Sequence, residues 1–202
     1  MPATAQPDLE PGRAYRTHEL RRWGQNPTRL VARLVREGRL RQAAHGLYYA
    51  PVATRFGSAP ASDSELLRAF LNDTPFLITG PPRWNALDLG ATAMLACTLV
   101  YNTERTGECE LDGRRFLLRR VRFPPSPSPE WFVVDLFQHH AMAGVALTTL
   151  EAGLTRTLRA GRWEESRLRE AAREFGTHDT RARIERCLQA GGRRCPSTRP
   201  AR

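Results

Sequence analysis

Asn26-Pro27, Gly38 and His45-Gly46 cut residues 26–51, "NPTRLVARLVREGRLRQAAHGLYYAP", into pieces with few ways to fold. An asparagine side chain can accept the free N–H groups of a first helical turn, and proline fits the first helical position, where its missing N–H has no partner to lose. Glycine ends a helix by taking a left-handed conformation. The spacing therefore predicts a helix over "PTRLVARLVRE", stopped at Gly38. The runs "RLRQAA" and "LYYAP" flank the His-Gly turn and read as a hairpin. Upstream, Thr17 can cap a short helix, "HELRRWG", stopped at Gly24.

Leu30, Val31, Leu34 and Val35 fall on one face of the longer helix, and Arg29, Arg33 and Arg36 on the other. The short side chains of Thr28 and Ala32 beside those arginines let a helix backbone come close to a groove. A short helix, a tight "GQNP" turn, a basic helix and a hairpin is the layout of a winged helix-turn-helix. A charged face turned to solvent is the competing reading, and the coincidence of the turn, the hairpin and the local charge weighs against it. The expected DNA-contacting set is Thr28, Arg29, Arg33 and Arg36, with Arg39 and Arg41 on the first hairpin strand and His45 at its tip.

Charge is segregated along the chain. Residues 13–41 hold nine arginines against two acids, and residues 156–202 hold thirteen against six. Between them, residues 51–110 hold four against seven, although the whole chain carries +10. Basic ends around an acidic middle point to anion-binding surfaces. Every basic side chain other than histidine is arginine, a pattern that a GC-rich coding bias also produces. The lack of lysine excludes a P-loop lysine, a Schiff-base lysine and the lysine-containing nuclease motifs.

No run nears the length of a membrane span, and the start "MPATAQPDLEPGRAY" has neither the basic start nor the apolar core of a signal peptide. The expected location is the cytoplasm, with no membrane partner. Cys97, Cys109, Cys187 and Cys195 lack metal-ligand spacing and read as free thiols, so neither a metal nor a cofactor is expected.

The expected fold is α+β: an N-terminal winged helix-turn-helix followed by a mixed α/β region with a helical C-terminal end. Residues 1–14 read as a flexible arm, 15–60 as the DNA-binding domain, 61–190 as the α/β domain and 191–202 as a disordered tail. Within the second domain "DSELLRAFLN" reads as a helix capped by Asp63 or Ser62, and "PRWNALDLG" as a short helix ended by Gly90. "PFLITG" (a buried run), "CTLVYNT" and "RRFLLRRVRF" read as strands, with "GECELDG" as a turn region. "WFVVDLF" fits a strand or a helix start, and three amphipathic helices follow from about residue 144.

Four other constellations carry less. "GSAPASDSE" has the Gly-Ser and paired acids of a nucleotidyltransferase, but Asp63 and Glu65 follow Gly57-Ser58 too closely, and Asp63 fits a helix cap better. Asp135 and His139 stand four apart on a helix, which favours a simple pair over a metal or catalytic site. Trp84, Trp131 and Trp163 read as core or interface anchors before base-stacking residues. The arginines of "RRFLLRRVRF" suit either phosphate contact or a strand edge blunted by charge.

"THELRRWG" (17–24), "RLVREGRL" (33–40) and "HGLYYAP" (45–51) resemble the N-terminal winged helix of AbiEi-type antitoxins of type IV toxin–antitoxin systems. A weaker likeness continues through "FLITGPPRWNALDLG" (76–90), the strands after it and the arginine-rich helical end, to about residue 190. The resemblance implies a non-enzymatic protein that binds double-stranded DNA at its own promoter and represses its operon. It also implies a second domain that opposes a nucleotidyltransferase-like toxin encoded nearby, and it allows a homodimer on DNA. The family has a further helix before the first run, where this chain has a Pro-rich arm. Either the unit is trimmed or residues 8–16 form a short first helix. A stand-alone regulator and a DNA-targeted nuclease are the alternatives.

Overall fold

The computed structural model describes residues 7–92 and 94–191 and is a mixed α+β protein. The chain divides into two compact units, the first made of residues up to Ile78 together with Cys97–Val121, the second of Thr79–Ala96 and everything from Arg122.

In the first unit β1 (Ala14–Arg16), a 3-10 turn (Glu19–Trp23), α1 (Pro27–Arg36), β2 (Arg41–Ala44) and β3 (Leu47–Tyr49) follow one another. β3 lies between β1 and β2 and runs antiparallel to both. Alternation along the strands divides their side chains between two cores. Tyr15 and Tyr48 turn toward Leu20, Leu30, Val31, Leu34 and Leu40. Ala14, Leu47 and Tyr49 turn the other way, against Leu66 and Leu67 of α2 (Asp63–Phe70) and against Val100, Leu111 and Phe116. A fully buried leucine contributes about 1.5–3 kcal/mol, so the small sheet is held from both faces.

Those last residues belong to a four-stranded sheet of β6 (Phe76–Thr79), β7 (Thr98–Asn102), β8 (Gly107–Leu111) and β9 (Arg114–Arg120), in the order β6-β7-β9-β8. β7 runs parallel to β9, and β8 antiparallel to it. Between β8 and β9, Asp112 and Gly113 have φ of +52° and +74°, the left-handed geometry that a two-residue hairpin turn needs. A separate hairpin, β4 (Val52–Thr54) and β5 (Gly57–Ala59), follows β3.

The second unit is helical: α3 (Pro81–Asn85), α4 (Pro129–Gln138), α5 (Leu147–Arg159), α6 (Glu165–Phe175) and α7 (His178–Gly191). α4 is buried from Glu130 to Phe137, as a helix apolar on nearly every side must be. It packs against α3, α6 and α7, and α5 packs against α7. Trp84, Trp131 and Trp163 are all buried in this unit, as the core reading expects.

Several sequence expectations need correction. Residues 1–6, residues 192–202 and Cys195 lie outside the described residues, while Gly191 is the last residue of α7. The rest of the supposed arm is packed: Gly12 N–H donates to the Ala50 carbonyl at 2.7 Å, and Ala14 opens β1. No helix forms over residues 8–16. A boundary at residue 60 fails because α2 and the second sheet share a core with β1 and β3. Thr17 caps nothing; His18 holds the N-cap position, and the Thr17 hydroxyl donates to the Gly46 carbonyl at 3.3 Å. Ser62, not Asp63, caps α2, because Asp63 pairs with Arg114. "GECEL" is a strand rather than a turn. β9 lies inside its sheet, so its arginines do not blunt an edge. Only Thr79 of β6 is fully buried, α3 ends at Asn85 well short of Gly90, and Val35 is 39% exposed instead of joining the core.

Candidate nucleic-acid interface

α1 is built as its sequence requires. The Asn26 side chain accepts the Arg29 N–H at 3.0 Å, and Pro27 opens the helix. At the other end Gly38, at φ +71°, donates to the Val35 carbonyl at 3.0 Å. Leu30, Val31 and Leu34 anchor the inner face at 7%, 5% and 0% exposure. That fixes Thr28, Arg29, Ala32, Arg33 and Arg36 on the outside, all exposed.

Arg33 Nε stands 3.9 Å from Glu37 Oε1, too far and too exposed to neutralise either charge. Among the described residues, Arg29 and Arg36 have no ion-pair partner. Together with Trp23 and Asn26 the arginines border a hollow of about 580 Å³ beside the start of α1. A helix start favours anions through its unpaired N–H groups and its dipole. Positive side chains around such a start suit phosphate.

In the hairpin, Arg41 stands opposite Tyr49, on the face of the small sheet away from α1. Arg41 and His45 are exposed. Gly46 turns the tip at φ +72°, and its carbonyl accepts the Thr17 N–H at 3.0 Å, tying the tip to β1. Tyr48 is half-buried and packs its ring on the α1 core.

Arg39 behaves differently from the other expected contacts. It is half-buried before β2 begins, and its guanidinium donates to the Pro7 carbonyl at 2.6 Å. The side chain holds the N-terminal segment down, so its place in a DNA-contacting set is corrected. Sequence reasoning also passed over Arg21 and Arg22 on the 3-10 turn, both exposed. Arg22 stacks on the Trp23 ring at 3.8 Å, and the adjacency "RRW" just before the turn was the signal for it.

In the second unit Asp135 is buried and accepts the Trp84 indole N–H at 2.8 Å, while its other oxygen lies 3.0 Å from His139 Nδ1. The pair is part of the packing, in keeping with the sequence reading. Among the described residues, no three His, Cys, Asp or Glu side chains are grouped to hold a metal ion. Likewise no helix among them is long and apolar enough to cross a membrane.

A larger hollow, about 830 Å³, runs between α5 and α7 over Ala152, Thr155 and Ala190, with Arg156, Arg159 and Arg186 at its rim. Each of those arginines is engaged locally: Arg156 with the Asp88 carbonyl, Arg159 with the Ala190 carbonyl and Arg186 with Glu151. The α1 surface, with its unpaired arginines, is the better anion site despite its smaller volume.

No family model matches the sequence, and no curated protein matches it. Among solved structures, the crystal structure of the RV2827C protein from Mycobacterium tuberculosis is similar, with a TM-score of 0.55 and 15% identity. The match covers 95% of this chain and 80% of that one, a likeness of fold alone.

Proposed function

We propose that this chain is a DNA-binding repressor of its own promoter, with β1, the 3-10 turn, α1, β2 and β3 acting as a winged helix. The observation that carries the reading is α1. Its exposed side holds Arg29 and Arg36 without ion-pair partners among the described residues, its start is capped and led by proline, and its inner face is buried. In this reading the start of α1 enters the major groove, Arg29 meets a guanine edge, and Arg33, Arg36, Arg41 and His45 meet backbone. Two helical pieces precede the wing instead of three, and α2 closes the far face of the sheet. The likeness to AbiEi-type antitoxins supports a second task, in which the helical unit opposes a nucleotidyltransferase-like toxin without catalysing a reaction.

The test is promoter binding by full-length protein in which Arg29, Arg33 and Arg36 are all alanine. With the fold intact by circular dichroism, affinity falls, and the dependence of log affinity on log salt flattens by up to about one unit for each phosphate no longer neutralised. Wild-type affinity in that variant refutes the reading. Rescue of cells expressing the neighbouring toxin, kept in the triple variant, separates the second task from the first.

A further inference from the structure

The turn between β8 and β9 touches the basic hairpin at two points. The Asp112 N–H donates to the Ala43 carbonyl at 2.8 Å, on the outer strand of the small sheet. The Tyr49 hydroxyl donates to Asp112 Oδ1 at 3.2 Å, across 63 residues of sequence. Tyr49 is 1% exposed, so little water competes for that bond. Arg41 stands opposite Tyr49 in the strand register, and its positive charge acts on the same hydroxyl. Burial pushes the Tyr49 hydroxyl pKa up, Asp112 adds to the rise, and Arg41 opposes it.

Asp112 is itself held. Its Oδ2 lies 3.6 Å from Arg114 Nη2, and Arg114 also binds the Asp63 carboxylate and the Ala61 carbonyl at the start of α2. A chain of contacts therefore runs from α2 through Arg114 and Asp112 to Tyr49, whose partner across the strands is Arg41. An exposed arginine on an outer strand samples many rotamers, and ordering it on contact with a ligand costs entropy. A side chain flanked by Tyr49 across the strands has fewer rotamers to lose.

We propose that Asp112 is a positioning residue: through the Ala43 carbonyl and the Tyr49 hydroxyl it fixes the basic hairpin and aims Arg41 at the phosphate backbone. The target, though not the bracing, rests on the DNA-binding reading above.

The test uses full-length Tyr49→Phe, Asp112→Asn, Arg41→Ala and the Tyr49→Phe/Arg41→Ala pair. Asparagine tolerates the positive φ at residue 112, so Asp112→Asn removes charge without straining the turn. Without DNA, amide exchange over residues 41–49 speeds up in Tyr49→Phe and Asp112→Asn relative to α1. On the promoter, Tyr49→Phe weakens binding about three- to tenfold, and the double variant is no weaker than Arg41→Ala, the signature of coupled side chains. Unchanged exchange in both single variants overturns the proposal, as do losses that simply multiply. If wild-type protein shows no preference for its promoter while the hairpin still loosens, the DNA reading falls and the brace stands.

Discussion

Glu65 closes the open edge of β1: its Oε1 accepts the Ala14 N–H at 3.0 Å, across 51 residues of sequence. Arg68, one turn further along α2, donates to the Ala14 carbonyl at 3.0 Å and to Glu65 Oε1 at 2.8 Å. Side chains of a helix thus satisfy the backbone groups that a neighbouring strand would otherwise pair, leaving no template there for another chain.

Glu65→Ala is expected to cost about 1–3 kcal/mol, since it leaves the Ala14 N–H without its acceptor and takes from Arg68 one of its two carboxylates, the other being Asp73. The Arg68 guanidinium holds the Glu65 carboxyl below the usual carboxylate range, partly offset by burial. A depressed folded-state pKa gives stability that is present above the unfolded value of about 4.3 and is lost as pH falls through the lower folded value. Urea midpoints between pH 3 and pH 6 check this: Glu65→Gln should be less stable near neutrality and flatter toward acid.

A fragment ending at residue 60 is expected not to fold. It lacks Glu65 and Arg68 and leaves Ala14, Leu47 and Tyr49 without Leu66, Leu67, Val100 and Phe116. A fragment ending at Val121 retains every residue of the first unit and is expected to melt cooperatively. Amide chemical-shift dispersion distinguishes the two, and a well-dispersed short fragment contradicts the shared core.

Gly153→Ala decides between two opposing effects. Alanine in place of glycine favours a helix by about 1 kcal/mol. A Cβ at residue 153 would stand 2.7 Å from the Leu89 carbonyl oxygen and 2.9 Å from its Cα, both backbone atoms that cannot swing aside. Overpacking of that kind costs about 1–3 kcal/mol, so the net change is a loss of stability. Thermal melts measure it, and a raised midpoint shows that the segment around Leu89 yields.

Asp135→Ala is expected to cost about 3 kcal/mol, because a buried partner of both Trp84 and His139 disappears. Asp135→Asn keeps an acceptor for the Trp84 indole and should lose less. Chemical denaturation ranks the three proteins, and equal losses in both variants indicate that the charge, not the hydrogen bond, matters at this position.

The parts legible in the sequence are those fixed by local chemistry. Asn26, Pro27 and Gly38 bound α1 where expected, and Leu30, Val31 and Leu34 point inward because helical spacing leaves no alternative. β8 was missed although Cys109 and Leu111 alternate with Glu108 and Glu110 ahead of an Asp-Gly turn; two glutamates in five residues hid the pattern. The β4–β5 hairpin was missed because Arg55-Phe56 lacks the usual turn residues. β1 has three residues and pairs with β3, which only tertiary contact can reveal. Arg39 left the candidate interface for the same reason: nothing in its neighbourhood of sequence announces the Pro7 carbonyl.

The backbone passes between the two units at residues 78/79, 96/97 and 121/122. No single breakpoint in the gene separates one intact unit from the other. Recombination that joins the front of this chain to the back of a divergent relative must leave at least one unit with mismatched halves. An exchange of modules therefore carries a mismatch into at least one core, a cost that point substitution on either surface avoids.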